Sequence, residues 1–286
     1  MIGKIRVFSA LLFVAVATLV LVPLQLLSMK TGLYREGIVP RLWHRAILAA
    51  LGFRVHVSGV MTDKRPLLIA SNHVSWTDIM VLGSIADMSF IAKSEMAGWP
   101  LIGWLALLQR TVFIERERKR KSGVQASEIA ARLAAGDAMV LFAEGTTGDG
   151  NLLLPFKSTL FGAAAMAIGE GAVETVFIQP VAILYTRLHG IPMGRQHRRV
   201  ASWIGDSELA PHIVELLAQG AIDVEVYFGE PVEFSAGGSR KEAARQVERR
   251  VRAMIEEARR NPRRRSRTAA QTESPVFCHR KALEAA

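Results

Sequence analysis

A histidine and an aspartate follow a short apolar run and could form a proton-transfer pair. His73 and Asp78 lie in the segment SNHVSWTDIM, directly after a strand predicted at residues 66–71. In one continuous helix, positions i and i+5 are about 140° apart, so side-chain contact requires a turn before a helix that begins near Asp78. The carboxylate would then accept from one imidazole nitrogen and leave the other to remove a proton from a hydroxyl. The pair predicts a general base, with a purely structural histidine as the alternative.

A second polar loop follows the apolar run at residues 139–142. Its sequence, AEGTTGDG, combines glycines that let the backbone approach a ligand with a carboxylate, Glu144, that can accept from hydroxyl or ammonium groups. Loops after strands commonly bind ligands in open α/β sheets, although an ordinary glycine-rich turn is the alternative. The chain has no Gly-Lys-Ser/Thr phosphate loop and no G-x-S-x-G elbow, which argues against a covalent serine mechanism.

Short β-rich runs and helical patterns alternate along the chain, which is typical of an α/β fold. Strands are predicted at residues 53–57, 66–71, 88–93, 111–115, 138–143, 176–184 and 224–228. Helices are predicted at residues 76–84, 99–107, 121–135, 160–168 and 239–260, the last one opening at Ser239. We therefore expect one α/β domain.

Residues 7–27 form an uncharged apolar run. At about 1.5 Å per residue it would reach across most of a ~30 Å hydrocarbon layer. Pro23 lies inside the run, so a spanning helix and a segment that dips into one leaflet both fit. A cleaved signal peptide is a further alternative, although no small-x-small cleavage site follows cleanly. Basic residues after the run outnumber those before it, so the positive-inside rule puts the rest of the chain in the cytoplasm.

The composition points to a partly membrane-associated protein. The 286 residues are 50% hydrophobic and 22% charged with a net charge of +10, which predicts an anionic partner. A mean hydropathy of +0.22 favours an anionic membrane surface. Nucleic acid is not expected, because the basic residues are not interleaved with stacking aromatics. One cysteine, Cys278, excludes an internal disulfide, and no histidines stand at a recognisable metal spacing, so we expect neither a metal nor a cofactor.

Four motifs, in order, resemble those of the glycerolipid and lysophospholipid acyltransferase superfamily over residues 43–234. Asn72, His73 and Asp78 match the first motif, N-H-x4-D, in which the histidine is the general base and the aspartate orients it. Asn72 is expected to contact the substrate. The segment RTVFIER, with Arg116, resembles the second motif, whose arginine helps bind the acceptor head group.

The third and fourth motifs follow downstream. The segment FAEGT, with Glu144, Gly145 and Thr146, resembles F-P-E-G-T-R, and QPV, with Pro180, resembles a strand near the acyl pocket. The resemblance implies that these residues, with Thr147, contact the substrates. The resemblance implies a mixed sheet flanked by helices after an N-terminal membrane helix. It divides the chain into an anchor with a basic flank at residues 1–39, an acyltransferase domain at 40–260 and a basic, disordered tail at 261–286.

The resemblance also implies direct acyl transfer at the bacterial inner membrane. His73 would deprotonate the hydroxyl of a lyso-lipid, which attacks the thioester of an acyl carrier protein (acyl-ACP) or coenzyme A (acyl-CoA). The basic run at residues 116–121 predicts docking of the acidic carrier protein, and a solvated face against lipid head groups is the alternative. A thioesterase is the nearest enzymatic alternative, since the same pair can activate water.

Two departures from the motifs bear on the acceptor. Thr147 stands where the third motif has arginine, and Arg110 stands where the second has glycine. A threonine cannot grip a phosphate as a guanidinium does, so an acceptor without a phosphomonoester is expected. The segments AEGTTGDGN and WIGDSELAPH resemble the branch that acylates lyso-ornithine lipid, a zwitterionic, phosphorus-free bacterial lipid. Arg110 and Arg116 remain candidate phosphate ligands, so lysophosphatidic acid is the alternative acceptor.

Overall fold

The computed structural model describes residues 2–32, 37–114, 119–169, 173–205 and 207–261. Arg116 and the predicted tail from residue 262 onward lie outside these ranges, and of residues 119–126 only the helix is described. The α-helices and strands of the described part are α1 (Ile2–Thr31), α2 (Ile38–Leu51), β1 (Phe53–Ser58), β2 (Leu67–Ser71), α3 (Thr77–Ile85), β3 (Ser89–Lys93), α4 (Ile102–Leu108), β4 (Val112–Ile114), α5 (Lys119–Ala134), β5 (Ala138–Phe142), α6 (Gly162–Gly169), β6 (Thr175–Leu188), β7 (Ile191–Pro192), α7 (Leu209–Gln219), β8 (Ile222–Phe228), β9 (Val232–Ser235) and α8 (Arg240–Arg260).

The strands form one mixed sheet in the order β1-β8-β6-β2-β5-β3-β4, with β7 and β9 paired to β6. The central strands β6, β2, β5 and β3 run parallel, whereas β6 pairs antiparallel with β8 and β9. This confirms the predicted α/β fold with a mixed sheet flanked by helices. Because β2 and β5 are parallel neighbours, the loops that follow them meet at the same edge of the sheet.

The sheet carries a hydrophobic core on each face. In β2, Leu68 and Ala70 pack toward α5, α6 and α8, while Leu67 and Ile69 pack toward α2, α3 and α7. All five residues of β2 and all five of β5 are buried, as expected of parallel strands covered on both faces. The two strands that carry the polar loops are therefore the most enclosed part of the sheet, which gives those loops a rigid base.

The predicted strands are all present, with their ends shifted by a few residues. The largest change is in β6, predicted to end at residue 184 and extending to Leu188. The sequence analysis does not predict α2, α7, β7 or β9. Pro211 interrupts the apolar pattern of α7, but it occupies the first turn, where its missing N–H would have no intrahelical partner.

The N-terminal apolar run is part of one helix, α1, which continues through Pro23 rather than ending there. It is long and apolar enough to cross a membrane, and 6% of its most apolar window is buried. Hydrogen bonds join both halves of α1 to the domain: Arg6 Nε donates to the Leu217 carbonyl at 2.7 Å, and Gln25 Nε2 donates to the Leu108 carbonyl at 2.8 Å. The helix therefore lies along the domain, with an apolar face exposed.

Candidate active site

Asn72 fixes the loop that follows β2. Its side-chain amide donates to the Ile183 carbonyl at 2.9 Å and accepts from the Ile183 N–H at 2.8 Å. These two bonds continue the pairing of β2 with β6 by one residue beyond Ser71. Asn72 thus anchors the backbone immediately before His73, and its predicted contact with substrate stays a prediction.

His73 and Asp78 are in contact across the turn that their spacing requires. His73 Nδ1 lies 2.8 Å from Asp78 Oδ2. Asp78 is fully buried in the first turn of α3, where the helix N-terminus favours a negative charge. Because a carboxylate can only accept, Nδ1 is assigned as the protonated nitrogen, and Nε2 retains its lone pair.

Asp78 accepts three further hydrogen bonds. Its Oδ2 accepts from the backbone N–H groups of Val74 at 2.6 Å and Ser75 at 3.0 Å, and its Oδ1 accepts from the Tyr185 hydroxyl at 2.6 Å. The buried Tyr185 hydroxyl also lies 2.6 Å from Thr77 Oγ1. Burial raises the pKa of Tyr185 well above its ordinary value, and Asp78 raises it further, so Tyr185 is a neutral donor. Both oxygens of the Asp78 carboxylate are therefore fixed by hydrogen bonds.

Ring stacking and a backbone hydrogen bond also position the imidazole of His73. The ring stacks on Phe142, the last residue of β5, with centroids 3.9 Å apart and planes inclined by 12°. The His73 carbonyl accepts from the Gly148 N–H at 2.8 Å. The side chain is 17% exposed, so the ring is enclosed on its stacked face and accessible elsewhere.

Glu144 joins the two loops through their backbones. Its Oε1 accepts from the His73 N–H at 2.8 Å and its Oε2 from the Leu154 N–H at 3.0 Å, and the residue is 2% exposed. Burial raises the pKa of Glu144 to about 7, against the two N–H bonds, and the charges of Asp78 and Glu248 raise it further. Both oxygens are occupied by backbone donors, and the predicted contact with an acceptor stays a prediction.

The rest of the third motif forms a turn after β5. Gly145 has a φ of +74°, a conformation that glycine adopts without strain, and its N–H donates to the Phe142 carbonyl at 3.1 Å. Thr146 is exposed and Thr147 is half-buried. Their predicted part in acceptor binding also stays a prediction.

The structure places Arg110 away from His73, at the opposite edge of the sheet. Arg110 precedes β4, and its guanidinium donates to Asp137, the residue before β5, at 2.9 Å. His73 lies at the other end of β5, beside Phe142, and the intervening strand separates the two sheet edges by about 16 Å. Arg110 has a φ of +63°, the left-handed conformation that glycine favours, which explains why glycine suits this position of the motif.

Pro180 is buried where β6 changes partner. Residues up to Ile178 pair with β9 and residues from Val181 onward pair with β8, so no antiparallel partner requires an N–H from Pro180. The cavity beside His73 is lined instead by later residues of β6, from Ile183 to Thr186. The structure thus gives Pro180 a place in the sheet, and its predicted contact with substrate stays a prediction.

A cavity of about 200 Å³ opens beside His73. Its walls include the loops after β2 and β5, the second half of β6 and the end of α8, with Tyr185, Arg198 and Arg259 among them. The sequence analysis names none of these three residues. Position 259 could have been found, because it stands four residues after Ile255 on the helix face that carries the buried Val247, Val251 and Ile255, although Arg259 itself is exposed at the helix end. Among the described residues, no three His, Cys, Asp or Glu side chains are grouped as a metal site requires.

Comparisons with known proteins show the family and the fold. A model of the family named Acyltransferase matches residues 52–184. The lyso-ornithine lipid O-acyltransferase of Brucella abortus is 53% identical over 90% of this chain and 97% of its own length, and that of Rhizobium meliloti is 46% identical over 97% and 94%. The crystal structure of the 1-acyl-sn-glycerophosphate acyltransferase from Thermotoga maritima shares the fold, with a TM-score of 0.59 over 90% of this chain and 98% of that one, at 23% identity.

Two relatives are more than 45% identical to this chain over nearly their whole length, and the family model matches the strands that carry the site. Together these two findings establish the family. The chain belongs to the acyltransferase family and is an acyltransferase.

Proposed function

We propose that this acyltransferase moves a fatty acyl group from acyl carrier protein to the free hydroxyl of lyso-ornithine lipid. The observation that carries the chemistry is His73 Nδ1 bound to the buried Asp78, with the ring beside the cavity. Two relatives that span almost the whole chain are named for this acceptor, which supports the same choice here.

The proposed mechanism is a single transfer without an acyl-enzyme. His73 Nε2 takes the proton of the lyso-lipid hydroxyl as its oxygen attacks the thioester carbonyl carbon. The C–S bond then breaks, an O-acyl ester forms, and the imidazolium returns the proton to the departing thiolate. Asp78 stabilises the imidazolium that exists between these steps, and the fixed loop positions both substrates.

The departure from the third motif at position 147 is a second reason for this choice of acceptor. Thr147 offers no guanidinium for a phosphomonoester, which supports a phosphorus-free acceptor. The alternative is a 1-acyl-sn-glycerol-3-phosphate acyltransferase that makes phosphatidic acid. The enzyme of that name from Neisseria meningitidis is 38% identical, but over 42% of this chain.

The proposed location is the cytoplasmic face of the bacterial inner membrane. The apolar face of α1 is exposed along its length, with Phe8, Leu12 and Leu19 among the exposed side chains. Since Arg6 and Gln25 tie both halves of α1 to the domain, the helix would lie in the membrane interface rather than cross it. The net charge of +10 supports attraction to anionic lipids and to an acidic carrier protein.

The test uses the full chain in liposomes with labelled acyl-ACP or acyl-CoA, adding lyso-ornithine lipid or lysophosphatidic acid. We expect transfer from acyl-ACP to lyso-ornithine lipid and none by a folded His73→Ala protein. Transfer to lysophosphatidic acid but not to lyso-ornithine lipid would overturn the proposed choice of acceptor. Release of free fatty acid without any lyso-lipid would identify a thioesterase instead.

A further inference from the structure

Arg259 lies outside all four motifs, and it contacts the loop after β5 from α8. It stands in the last turn of α8, four residues after the buried Ile255, so both side chains lie on the face of the helix toward the sheet. Its guanidinium donates to the carbonyls of Gly150 at 2.7 Å and Asn151 at 2.9 Å. These residues belong to the same loop as Thr147, the position at which the third motif lacks its arginine.

A second guanidinium meets the first at the same loop. Arg198, in the short 3-10 turn His197–Val200, donates to Asn151 Oδ1 at 3.1 Å. Both arginines line the cavity that contains His73. Two positive groups therefore share one wall of the cavity, and no carboxylate of the described residues is in ion-pair contact with them.

The electrostatics of the pair favour a bound anion. Burial lowers the pKa of Arg259, and the neighbouring charge of Arg198 lowers it further, against the opposite effect of Asp149 and Glu256. Each guanidinium carries five N–H donors, of which the described contacts use two on Arg259 and one on Arg198. The remaining donors suffice for a carboxylate or a phosphate, which guanidinium groups bind in pairs of hydrogen bonds.

We propose that Arg198 and Arg259 bind the anionic group of the acceptor head group and so orient its hydroxyl toward His73. This inference rests on the proposed function, under which the anion is the carboxylate of the zwitterionic ornithine head group. The positive charge that Thr147 does not provide from within the loop is supplied by α8 and by the turn at Arg198.

The experiment measures KM for the acceptor and for acyl-ACP with the full chain in liposomes, comparing Arg259→Gln and Arg198→Gln with the unchanged chain. A second acceptor has 1,4-diaminobutane in place of ornithine, so that only the carboxylate is missing. The matched control is Arg260→Gln on the same helix turn, because Arg260 is 75% exposed and pairs with Glu256 at 3.8 Å outside the cavity.

We expect each cavity variant to raise KM for lyso-ornithine lipid about tenfold or more, the effect of losing a charged hydrogen bond. KM for acyl-ACP and all constants for the diaminobutane acceptor should stay unchanged, as should every constant of Arg260→Gln. An equal rise in KM for both acceptors would mean that the loop had moved. A raised KM for acyl-ACP alone would mean that the arginine pair binds an anionic group of the donor. Either result overturns the inference.

The same variants separate this inference from the proposed function. If the unchanged chain acylates lysophosphatidic acid and not lyso-ornithine lipid, the proposed function fails. The arginine pair is then tested by whether Arg259→Gln and Arg198→Gln raise KM for lysophosphatidic acid. An unchanged KM in that arm would overturn the inference as well.

Discussion

Replacing Asp78 by asparagine separates the charge of this residue from its role in orienting His73. Among the described residues, Oδ2 faces three N–H donors, whereas Oδ1 faces the Tyr185 hydroxyl alone. An amide NH2 in the Oδ2 position would oppose two backbone N–H groups, so the amide oxygen of the variant takes that place. The NH2 group then donates to Tyr185, whose hydroxyl turns toward Thr77. Asp78→Asn should therefore keep the imidazole tautomer and remove only the charge.

The loss of activity follows from that charge. A carboxylate about 4 Å from an imidazolium stabilises it by about 4 kcal/mol of Coulomb energy at an effective dielectric constant of about 20. At 1.36 kcal/mol per factor of ten, Asp78→Asn should lower kcat about 10³-fold with little change in either KM. Asp78→Ala removes the acceptor as well as the charge, so its loss should be larger and should approach that of His73→Ala.

The assay compares initial rates of acyl transfer in liposomes for the unchanged chain, Asp78→Asn, Asp78→Ala and His73→Ala, after far-ultraviolet circular dichroism shows that each is folded. An Asp78→Asn rate within tenfold of the unchanged rate would refute the electrostatic role. A rate as low as that of His73→Ala would show that the tautomer is lost, which contradicts the orientation set by the Val74 and Ser75 N–H groups.

Three further outcomes follow from the contacts of buried and edge residues. Glu144 has its pKa raised from 4.5 to about 7, so the folded state binds more protons than the unfolded state between these pH values. Its contribution to the free energy of unfolding should be complete below pH 4.5 and fall by about 3 kcal/mol as the pH rises to 7. Denaturant titrations of the unchanged chain and of Glu144→Gln measure this, because the difference between their unfolding free energies should vary with pH. A difference constant from pH 4 to 8 would contradict this. Tyr185→Phe should cost about 1–3 kcal/mol of stability and lower kcat without raising either KM, because it removes a buried donor to Asp78; a rise in acceptor KM alone would point to direct substrate binding. Arg110→Gln should leave both KM values unchanged and lower the unfolding free energy by at most about 1 kcal/mol, since its pair with Asp137 is partly exposed; a raised acceptor KM would mean that Arg110 binds the acceptor.

Local spacing was sufficient to predict the contact between His73 and Asp78. Five residues, a strand end and a helix start leave few ways to arrange the two side chains, and the observed turn is one of them. Tyr185 completes the same cluster from 107 residues away. No pattern within β6 marks its hydroxyl as different from that of any tyrosine in a buried strand, because the pairing of β6 with β2 decides where it lies.

The distance between Arg110 and His73 has a geometric cause. The second motif places Arg110 and Arg116 within one short segment, so their closeness in sequence suggests one shared site. In a parallel sheet, however, residues before and after a strand lie at opposite edges, and Arg110 precedes β4. Its contact with Asp137, which precedes β5, confirms the edge to which it belongs.

The end of α8 belongs to the site because the loop after β5 depends on it. Glu248 of α8 accepts from the Phe156 N–H at 3.0 Å, and Arg259 bonds to the carbonyls of Gly150 and Asn151. These contacts hold both ends of the segment that follows the third motif, while Glu144 holds its middle at Leu154. A change of acceptor therefore need not alter the His73 loop. Substitutions on the face of α8 toward the sheet can change the charge of the cavity wall while the base and its aspartate keep their geometry.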